Sequence, residues 1–157
     1  MWDVASKGDQ EAAEVYLVAF SSRLVSSSSM EVTCFFCQVD TSRIVHSDSR
    51  AIVFRDGYPI SPGHTLIIPR RHVSSFFDCA DDERASMLNL LDLARRELIT
   101  EFAPDGFNIG INDGASAGQT VPHVHVHLIP RFQGDVPDPR GGVRHVIPER
   151  ADYWTKP

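Results

Sequence analysis

Hydrophobic and polar positions alternate in short runs through the middle of this chain, and they repeat every three or four residues in one longer stretch. Residues 51–54 and 65–68 are rich in β-branched side chains, and they flank segments 56–59 and 61–63, which carry strong turn residues. This pattern predicts an antiparallel strand pair. Residues 106–111 alternate large residues with small or polar ones and indicate a further strand.

One long amphipathic helix follows this strand pair. It is predicted to begin with Asp81 or Asp82 as its N-cap and to end near Phe102. Its apolar positions step by three or four residues and are Met87, Leu91, Ala94, Leu98 and Phe102. The opposite side carries Asn89, Asp92, Arg96 and Thr100. The elements together predict an α+β domain, a mostly antiparallel β-sheet with one main helix packed on it.

The last predicted strand carries three histidines. His123, His125 and His127 alternate with aliphatic residues, which are Val124, Val126 and Leu128. On an extended strand the imidazoles share one face and the aliphatic side chains share the other. One face can pack into a core while the other presents rings that act as nucleophile, proton carrier or metal ligand. Taken alone, the triplet is also compatible with a transition-metal chelate or with structural histidines.

Length and composition indicate one domain with an extension. The chain has 157 residues, of which 42% are hydrophobic, enough for a single core of ordinary size. Residues 1–29 read as a partly helical or flexible extension, because the Ser26–Ser29 tract interrupts any regular element. Residues 30–157 form the predicted main domain, whose C-terminal tail is rich in Pro, Gly and Arg.

Charge, apolar runs and cysteine content indicate which partners the chain can bind and in which compartment it is found. A net charge of −6 disfavours binding of a nucleic-acid duplex, so any phosphate must be held by a local site. No apolar run approaches the roughly 20 residues that cross a bilayer, and no signal peptide is evident. Three cysteines, two of them in a Cys-x-x-Cys pair, indicate reduced thiols and a cytosolic location.

The segment before the histidine strand suits a phosphate. Residues 112–120 are mostly small, which lets backbone N–H groups approach an anion. With this loop, residues 123–129 resemble the His-φ-His-φ-His-φ-φ signature of the histidine-triad family of nucleotide hydrolases and transferases, where φ is apolar. The resemblance covers roughly residues 34–132. Residues 119–121 before the triad and 130–131 after it resemble the dinucleoside-polyphosphate hydrolase branch related to the fragile histidine triad protein.

The family resemblance implies specific catalytic roles. His125 is the implied nucleophile, which attacks the α-phosphorus and gives a nucleotidyl-histidine intermediate that water cleaves. His127 matches the position that contacts phosphate, and His64 matches a histidine near the phosphate site. His123 supports the geometry of the triad, although a buried, hydrogen-bonded histidine of purely structural role is an alternative for it.

The resemblance also implies substrate-binding residues. Gln119 and Asn112 match positions whose amides contact phosphate oxygens, and the adjoining loop residues at the substrate are Gly118, Thr120 and Val121. The alternative for both amides is loop capping. Asp56 matches the residue that binds ribose hydroxyls, and its alternative is a turn residue before Gly57.

A structural Zn²⁺ site is the implied cofactor. Many members of the family bind zinc with a Cys-x-x-Cys pair and two histidines. The matching residues here are Cys34, Cys37, His72 and His123. His46 is a rival third ligand. The other interpretation of the cysteines is a pair of small, buried apolar residues.

The implied activity is hydrolysis of dinucleoside polyphosphates, such as diadenosine tetra- or triphosphate, through His125. Alternatives are a nucleoside phosphoramidase, a dinucleoside polyphosphate phosphorylase, and a nucleotide-binding signalling module with little turnover. The resemblance further implies a homodimer that pairs through the main helix and a neighbouring strand.

Overall fold

The computed structural model describes residues 34–155, and the predicted extension at 1–29 lies outside the described residues. Five described strands form one antiparallel sheet, and they are β1 (Ile44–Ser47), β2 (Ala51–Arg55), β3 (Thr65–Pro69), β4 (Gly106–Ile111) and β5 (Val126–Arg131). Their order across the sheet is β1-β2-β3-β5-β4. One long helix, α1 (Asp81–Phe102), links β3 to β4. The predicted α+β class is therefore confirmed.

The predicted strand pair is present, and its turn packs against the helix. β2 and β3 run antiparallel with Ala51 opposite Pro69. Gly63, in the connecting turn, has a φ of +81°, and a Cβ there would lie 2.7 Å from Leu98 Cδ2 and 3.0 Å from the ring of Phe102. Glycine is required at this position both by the left-handed backbone and by the close approach of α1.

The main core lies between the helix and one face of the sheet. Met87, Ala94 and Leu98 are buried there as predicted, while Leu91 and Phe102 pack at its margin. The buried aliphatic residues of the histidine segment belong to the same core, and they are Val124, Val126 and Leu128. Leu90, which the predicted stripe omitted, is also buried. The predicted polar side of α1 is exposed. Within residues 34–155, no helix is both long enough and apolar enough to cross a membrane.

The helix begins differently from the prediction. Its N-cap is Ala80, not Asp81 or Asp82, and the backbone N–H of Ala80 donates to Glu83 Oε2 at 2.8 Å. Arg71 also donates to both carboxylate oxygens of Glu83. Ala80 has no side-chain acceptor for the first N–H groups of the helix, and Glu83 instead anchors the backbone N–H of Ala80. The two aspartates fall in the first turn, where the helix dipole favours negative charge.

The histidine strand starts later than predicted. β5 begins at Val126, so His123 and His125 precede the strand and only His127 lies in it. Ile67 is the last residue of β3 that pairs with β5, opposite Val126. Before that point the backbone N–H of Val124 donates to Val73 O at 2.7 Å, away from the ladder. The alternation of faces persists, because the aliphatic neighbours of the three histidines are buried in the helix-side core.

The sheet has a second apolar face with a smaller cluster. Ile52, Phe54, Leu66 and Ile68 are buried there, and Phe36, Val39 and Ile44 pack against them. Phe36 lies in the 3₁₀ turn Phe35–Gln38, and Val39 follows that turn directly. Ile44 begins β1, an edge strand that the hydrophobic pattern did not predict. The segment that carries the Cys-x-x-Cys pair therefore covers part of the face toward which the histidines turn.

Candidate active site

His125 is held in one tautomer by the backbone. Its Nδ1 lies 2.9 Å from the carbonyl oxygen of His123. A carbonyl can only accept, so Nδ1 carries a proton, and in the neutral ring Nε2 holds the lone pair. The ring is 6% exposed, and Phe36 packs edge-on against it at a centroid distance of 5.1 Å. The geometry thus fixes the tautomer of the neutral ring and packs the imidazole from one side.

A cavity of about 530 Å³, here named the His125 cavity, opens beside this ring. Its lining is mainly aromatic and aliphatic, with one guanidinium, one carboxylate and two histidines: Phe35, Phe36, Arg43, Phe54, Asp56, Gly57, Tyr58, Leu66, Thr120, Val121, His125 and His127. A flat apolar ring beside a cation and a carboxylate matches the needs of an aromatic base joined to a sugar and phosphate.

Several of these lining residues were not predicted. Arg43 lies 5.7 Å from the centre of the Phe54 ring and donates to Arg55 O at 3.1 Å, which fixes its guanidinium at the cavity. Phe36 contacts both Phe54 and the histidines from the 3₁₀ turn between the cysteines. The sequence feature that could have indicated Phe36 is the Phe35-Phe36 pair between the two cysteines. This pair does not indicate which strand its rings pack against.

A second group of polar side chains, here named the Asp56 cluster, adjoins His125. It comprises Asp56, His64 and His127, whose ligand atoms lie within 4.8 Å of one another. His64 Nε2 lies 3.0 Å from His127 Nδ1, and Asp56 Oδ2 lies 3.4 Å from His64 Nδ1. His125 and His127 are 4.9 Å apart between ring centres. The structure therefore brings two of the predicted site residues, His64 and His127, together next to His125.

Burial keeps these rings neutral. Burial is the main cause that lowers the pKa of His127 to about 4, with a smaller contribution from repulsion by His125 and His64, while Asp56 opposes the shift. The pKa of His64 is also lowered, mainly by burial and against the attraction of Asp56. At neutral pH both rings then offer one N–H donor and one lone pair each. Such a pair can donate to phosphate oxygens and pass a proton.

Asp56 has two contacts that bear on its predicted roles. Its Oδ1 accepts from the backbone N–H of Tyr58 at 2.8 Å, which is the turn role named as the alternative. Its Oδ2 faces His64, and the residue also lines the His125 cavity. The turn contact uses one oxygen and leaves the other beside the cavity, so the two roles are compatible.

The predicted residues of the loop before the triad have two different environments, the His125 cavity and the interior of the loop itself. Thr120 and Val121 line the His125 cavity. The amide of Gln119 instead closes the loop, since its Oε1 accepts from Gly114 N at 2.8 Å and its Nε2 donates to Ser74 O at 2.7 Å. The loop-capping alternative for Gln119 is thus the contact that the structure shows. Gly118, with a φ of +88°, makes the left-handed turn beside it.

Asn112 lies on the far side of the Asp56 cluster, in a different cavity from His125. This second cavity of about 600 Å³, here named the tail cavity, is bounded partly by the C-terminal tail. His127 and Asp56 line both cavities, and His64 lines the tail cavity. Asn112 therefore shares a cavity with His127 but not with His125.

The cysteines form a compact group with two histidines, here named the metal cluster. It comprises the four predicted residues, Cys34, Cys37, His72 and His123. Cys37 Sγ lies 3.3 Å from His72 Nδ1 and 3.6 Å from His123 Nδ1, and Cys34 Sγ lies 3.5 Å from the same nitrogen. In a tetrahedral zinc site with ordinary bond lengths, sulfur and nitrogen ligands lie about 3.6 Å apart. The spacing of the donors therefore fits Zn²⁺.

The chemistry of the donors fits as well. His123 is fully buried, and its Nε2 donates to Pro69 O at 2.9 Å, so Nδ1 keeps the lone pair that faces the sulfurs. Burial lowers the pKa of His123, which favours the neutral imidazole that a metal requires. Burial and the neighbouring Cys34 raise the pKa of the Cys37 thiol, so binding of a metal would release protons.

Two alternatives for this region are wrong. Cys37 is exposed and Cys34 half-buried, so the cysteines are not small core residues. His46 is not a ligand of the cluster, because its Nε2 lies 2.6 Å from Glu97 Oε2 on α1. The register of β1 on β2 turns this histidine toward the helix. Cys79 is buried away from the cluster, near Ser75 O.

Comparison with known proteins places this site in a family. A family model described as the HIT domain matches residues 38–134, more than half of the chain. The chain belongs to the HIT family. This confirms the family predicted from the histidine segment.

Relatives in the HIT family agree over this region. The chain is 36% identical over 108 residues to an uncharacterised HIT-like protein of Methanocaldococcus jannaschii, a match that covers 65% of this chain and 81% of the relative. It is 38% identical over 94 residues to the asymmetrical bis(5′-nucleosyl)-tetraphosphatase of Schizosaccharomyces pombe. That match covers 60% of this chain and 52% of the relative, so it spans about half of the named enzyme.

A solved HIT structure supports the fold and bears on the metal cluster. The crystal structure of a Zn-bound histidine triad family protein from Mycobacterium smegmatis superposes with a TM-score of 0.60 at 31% identity. The match covers 73% of this chain and 90% of that chain. HIT proteins act on nucleotides as hydrolases or transferases, and this chain carries the family's three histidines in the arrangement described above.

Proposed function

We propose that this HIT protein hydrolyses dinucleoside polyphosphates of the diadenosine tetra- or triphosphate type. The observation that carries the proposal is the hydrogen bond from His125 Nδ1–H to His123 O, which in the neutral ring leaves the lone pair on Nε2, and His125 lines the His125 cavity. The similarity to a bis(5′-nucleosyl)-tetraphosphatase supports this substrate class.

In the proposed reaction His125 Nε2 attacks the α-phosphorus of a nucleotide bound in the His125 cavity. The new N–P bond forms as the bond from phosphorus to the bridging oxygen breaks, and the leaving nucleotide takes the electron pair. Nδ1 stays hydrogen-bonded to a carbonyl, which stabilises the positive charge that develops on the ring. Water then cleaves the nucleotidyl-histidine and restores the free imidazole.

The neighbouring residues take supporting roles in this scheme. His127, 4.9 Å from His125 between ring centres, donates to the phosphate oxygens, and His64 sets its tautomer through their 3.0 Å contact. Arg43 and Asp56 at the cavity wall suit the phosphate and the ribose hydroxyls. Gln119, whose amide closes the loop, keeps Thr120 and Val121 at the cavity rather than contacting phosphate itself.

We further propose that the metal cluster binds one structural Zn²⁺ through Cys34, Cys37, His72 and His123. Bound there, the ion would tie the 3₁₀ turn of the cysteines to the segment that carries the catalytic histidines. His123 then links the two parts of the site, because its ring belongs to the cluster and its carbonyl orients His125. The Zn-bound relative from Mycobacterium smegmatis supports this assignment.

A homodimer completes the proposal. β4 lies at one edge of the sheet, and α1 exposes three large apolar residues, which are Leu88, Leu93 and Ile99. An unpaired strand edge and exposed apolar side chains on a helix are common features of subunit interfaces. Sedimentation equilibrium of the purified chain measures this directly, and a monomer at all concentrations would contradict it.

The activity is tested by trapping the intermediate. His125→Ala should lower kcat for diadenosine tetraphosphate by at least roughly a thousandfold, since the covalent route is lost. Alkaline quench and intact-mass analysis should show a nucleotidyl adduct on the wild type and none on the variant. His46→Ala removes a histidine outside the cavity and should retain the adduct. Turnover of His125→Ala at the wild-type rate, or an adduct on His123 or His127, would contradict the proposal.

The substrate class is tested with a panel. Diadenosine tetra- and triphosphate, adenosine 5′-phosphoramidate, and diadenosine tetraphosphate with free phosphate as acceptor are compared, and the products are identified by mass. Fastest release of AMP and ATP from diadenosine tetraphosphate supports the hydrolase. Preference for the phosphoramidate, or formation of ADP with free phosphate, would identify one of the alternative activities. Tight nucleotide binding without turnover of any substrate would indicate a binding module.

A further inference from the structure

The tail cavity is unexplained by the chemistry at His125. It adjoins the Asp56 cluster, and its lining combines polar side chains, among them His64 and Asn112, with aliphatic ones, among them Ile109, Val143 and Val146. Three of its lining residues, Asp56, Tyr58 and His127, also line the His125 cavity. The two cavities are therefore neighbours with a shared wall.

The in-line geometry of displacement at phosphorus relates the His125 cavity to the tail cavity. In an in-line displacement at phosphorus, the nucleophile and the leaving oxygen lie on opposite sides of the transferred group. His125 lines the first cavity and not the second, whereas His127 lies between them. A phosphate chain that leaves on the side away from His125 passes His127 and enters the tail cavity, where His64 and Asn112 offer further polar contacts.

The outer part of the tail cavity is apolar and exposed. Ile60 is 75% exposed, Val143 63% and Val146 82%, and Ile109 on β4 is 46% exposed. Such a group of aliphatic side chains around a polar floor matches a ligand that has phosphates at one end and a flat base at the other.

The tail wall is ordered by its own contacts. Arg144 donates to the backbone carbonyls of Ala151 and Arg150 and stacks on Tyr153 at 5.1 Å. Arg140 stacks on Trp154 at 4.7 Å. These contacts hold the 3₁₀ segment Gly142–Val146, so Val143 and Val146 are placed before a ligand arrives.

We propose that the tail cavity binds the leaving nucleoside of a dinucleoside polyphosphate, and that Val143 and Val146 create the preference for a substrate with a second base. This inference rests on the proposed function. In diadenosine tetraphosphate the α-phosphorus bonds to His125 Nε2 and ATP departs with the electron pair. In adenosine 5′-tetraphosphate the same step releases triphosphate, which lacks the base that the tail would contact.

The test compares these two substrates in the full chain. The double variant V143S/V146S removes apolar surface without adding charge, and kcat/KM for diadenosine tetraphosphate should fall roughly tenfold. The value for adenosine 5′-tetraphosphate should stay within about twofold, because its leaving group does not reach the aliphatic rim. Ile147→Ser changes an exposed aliphatic residue of the same tail that is outside the cavity lining, and it should leave both values unchanged.

The outcomes separate the inference from the activity. A selective loss for the dinucleoside substrate supports the tail cavity as its subsite. Equal losses for both substrates, or no loss for either, overturn the inference while the hydrolase proposal stands. If equal losses accompany a change of oligomeric state in sedimentation, the tail is a subunit contact instead. If the wild type turns over neither these substrates nor adenosine 5′-phosphoramidate, the proposed function fails, and the inference fails with it.

Discussion

The metal cluster and the Asp56 cluster flank the same histidine and are built from similar residues, yet their bonding differs. Both hold two histidines, and in both the ligand atoms lie within 4.8 Å of one another. In the metal cluster His123 Nε2 donates to a backbone carbonyl, so Nδ1 faces two sulfurs. In the Asp56 cluster the two imidazoles bond each other, His64 Nε2 to His127 Nδ1.

This difference decides what each cluster can do. A histidine whose second nitrogen is held by a carbonyl keeps a free lone pair for a metal, especially beside soft sulfur ligands. Histidines that bond each other and face a carboxylate have their donors and acceptors arranged for protons and phosphate oxygens. The residue type is the same, and its partners determine its function. The following predictions test this contrast.

The largest expected effect concerns the metal cluster. Cys37→Ser should lower the zinc content of the purified protein and reduce the free energy of unfolding by at least roughly 3 kcal/mol, because bound metal stabilises the native state. Elemental analysis and urea unfolding measure the two quantities. Cys79→Ala, a buried cysteine outside the cluster, should keep its zinc. Protein that is fully stable and free of zinc when purified without added metal would contradict the site.

The Asp56 cluster should make stability depend on pH. The folded-state pKa of His127 is depressed from 6.5 to about 4, chiefly by burial, so the folded protein binds this proton less readily than the unfolded chain. The stability from this group is complete above pH 6.5 and is lost as the pH falls toward about 4. Its magnitude is on the order of 2 kcal/mol after allowance for partial exposure. In urea unfolding at several pH values, the free energy of unfolding should fall less steeply between pH 6.5 and about 4 in His127→Gln than in the wild type. The same pH dependence in both proteins would contradict this prediction.

Nucleotide affinity should depend on the charge of Asp56. Asp56→Asn keeps an oxygen for the N–H of Tyr58 but removes the carboxylate at the cavity wall. Calorimetry with a non-hydrolysable nucleotide should show binding weakened by about 1.5 to 3 kcal/mol. Asp40→Asn is a matched control, because Asp40 makes the same kind of turn contact with Ser42 N at 2.9 Å and is outside the cavity. Unchanged nucleotide affinity in Asp56→Asn would indicate that Asp56 acts only as a turn residue.

The smallest effect is expected outside both clusters. His46 and Glu97 form a partly exposed pair, with Nε2 and Oε2 2.6 Å apart. His46→Gln should therefore reduce the free energy of unfolding by about 1 kcal/mol or less. Its zinc content should equal that of the wild type. A loss of zinc in this variant would return His46 to the list of metal ligands and contradict the distinction drawn above.

Local patterns predicted the elements more reliably than their ends and partners. The runs at 51–54, 65–68 and 106–111 gave strands in nearly the observed places, because β-branched alternation and turn residues act over a few positions. The start of β5 was wrong, since it depends on where β3 ceases to pair. The predicted helix N-cap was wrong, because Glu83, held by Arg71, bonds the backbone N–H of Ala80, where the helix begins one residue before Asp81.

The candidate site shows the same division between local pattern and distant contact. Four metal-cluster residues separated by up to 89 positions were predicted as one group through the family resemblance, and the structure brings them together. Arg43 and Phe36 were missed because nothing near them in the chain indicates the strand they cover. Gln119 was assigned to phosphate, yet its amide bonds Ser74, 45 residues away.

By itself the sequence determined the alternation of imidazole and aliphatic side chains at 123–128, the Cys-x-x-Cys pair, and the α+β class, since each follows from residue types at short spacing. The tertiary structure alone decided which nitrogen of each histidine is bonded, that His46 faces Glu97, and that the C-terminal tail builds a second cavity beside His127. These depend on strand register and on contacts between residues far apart in the chain. Such contacts are set by how the whole sheet and its covering segments pack, and no local pattern contains them.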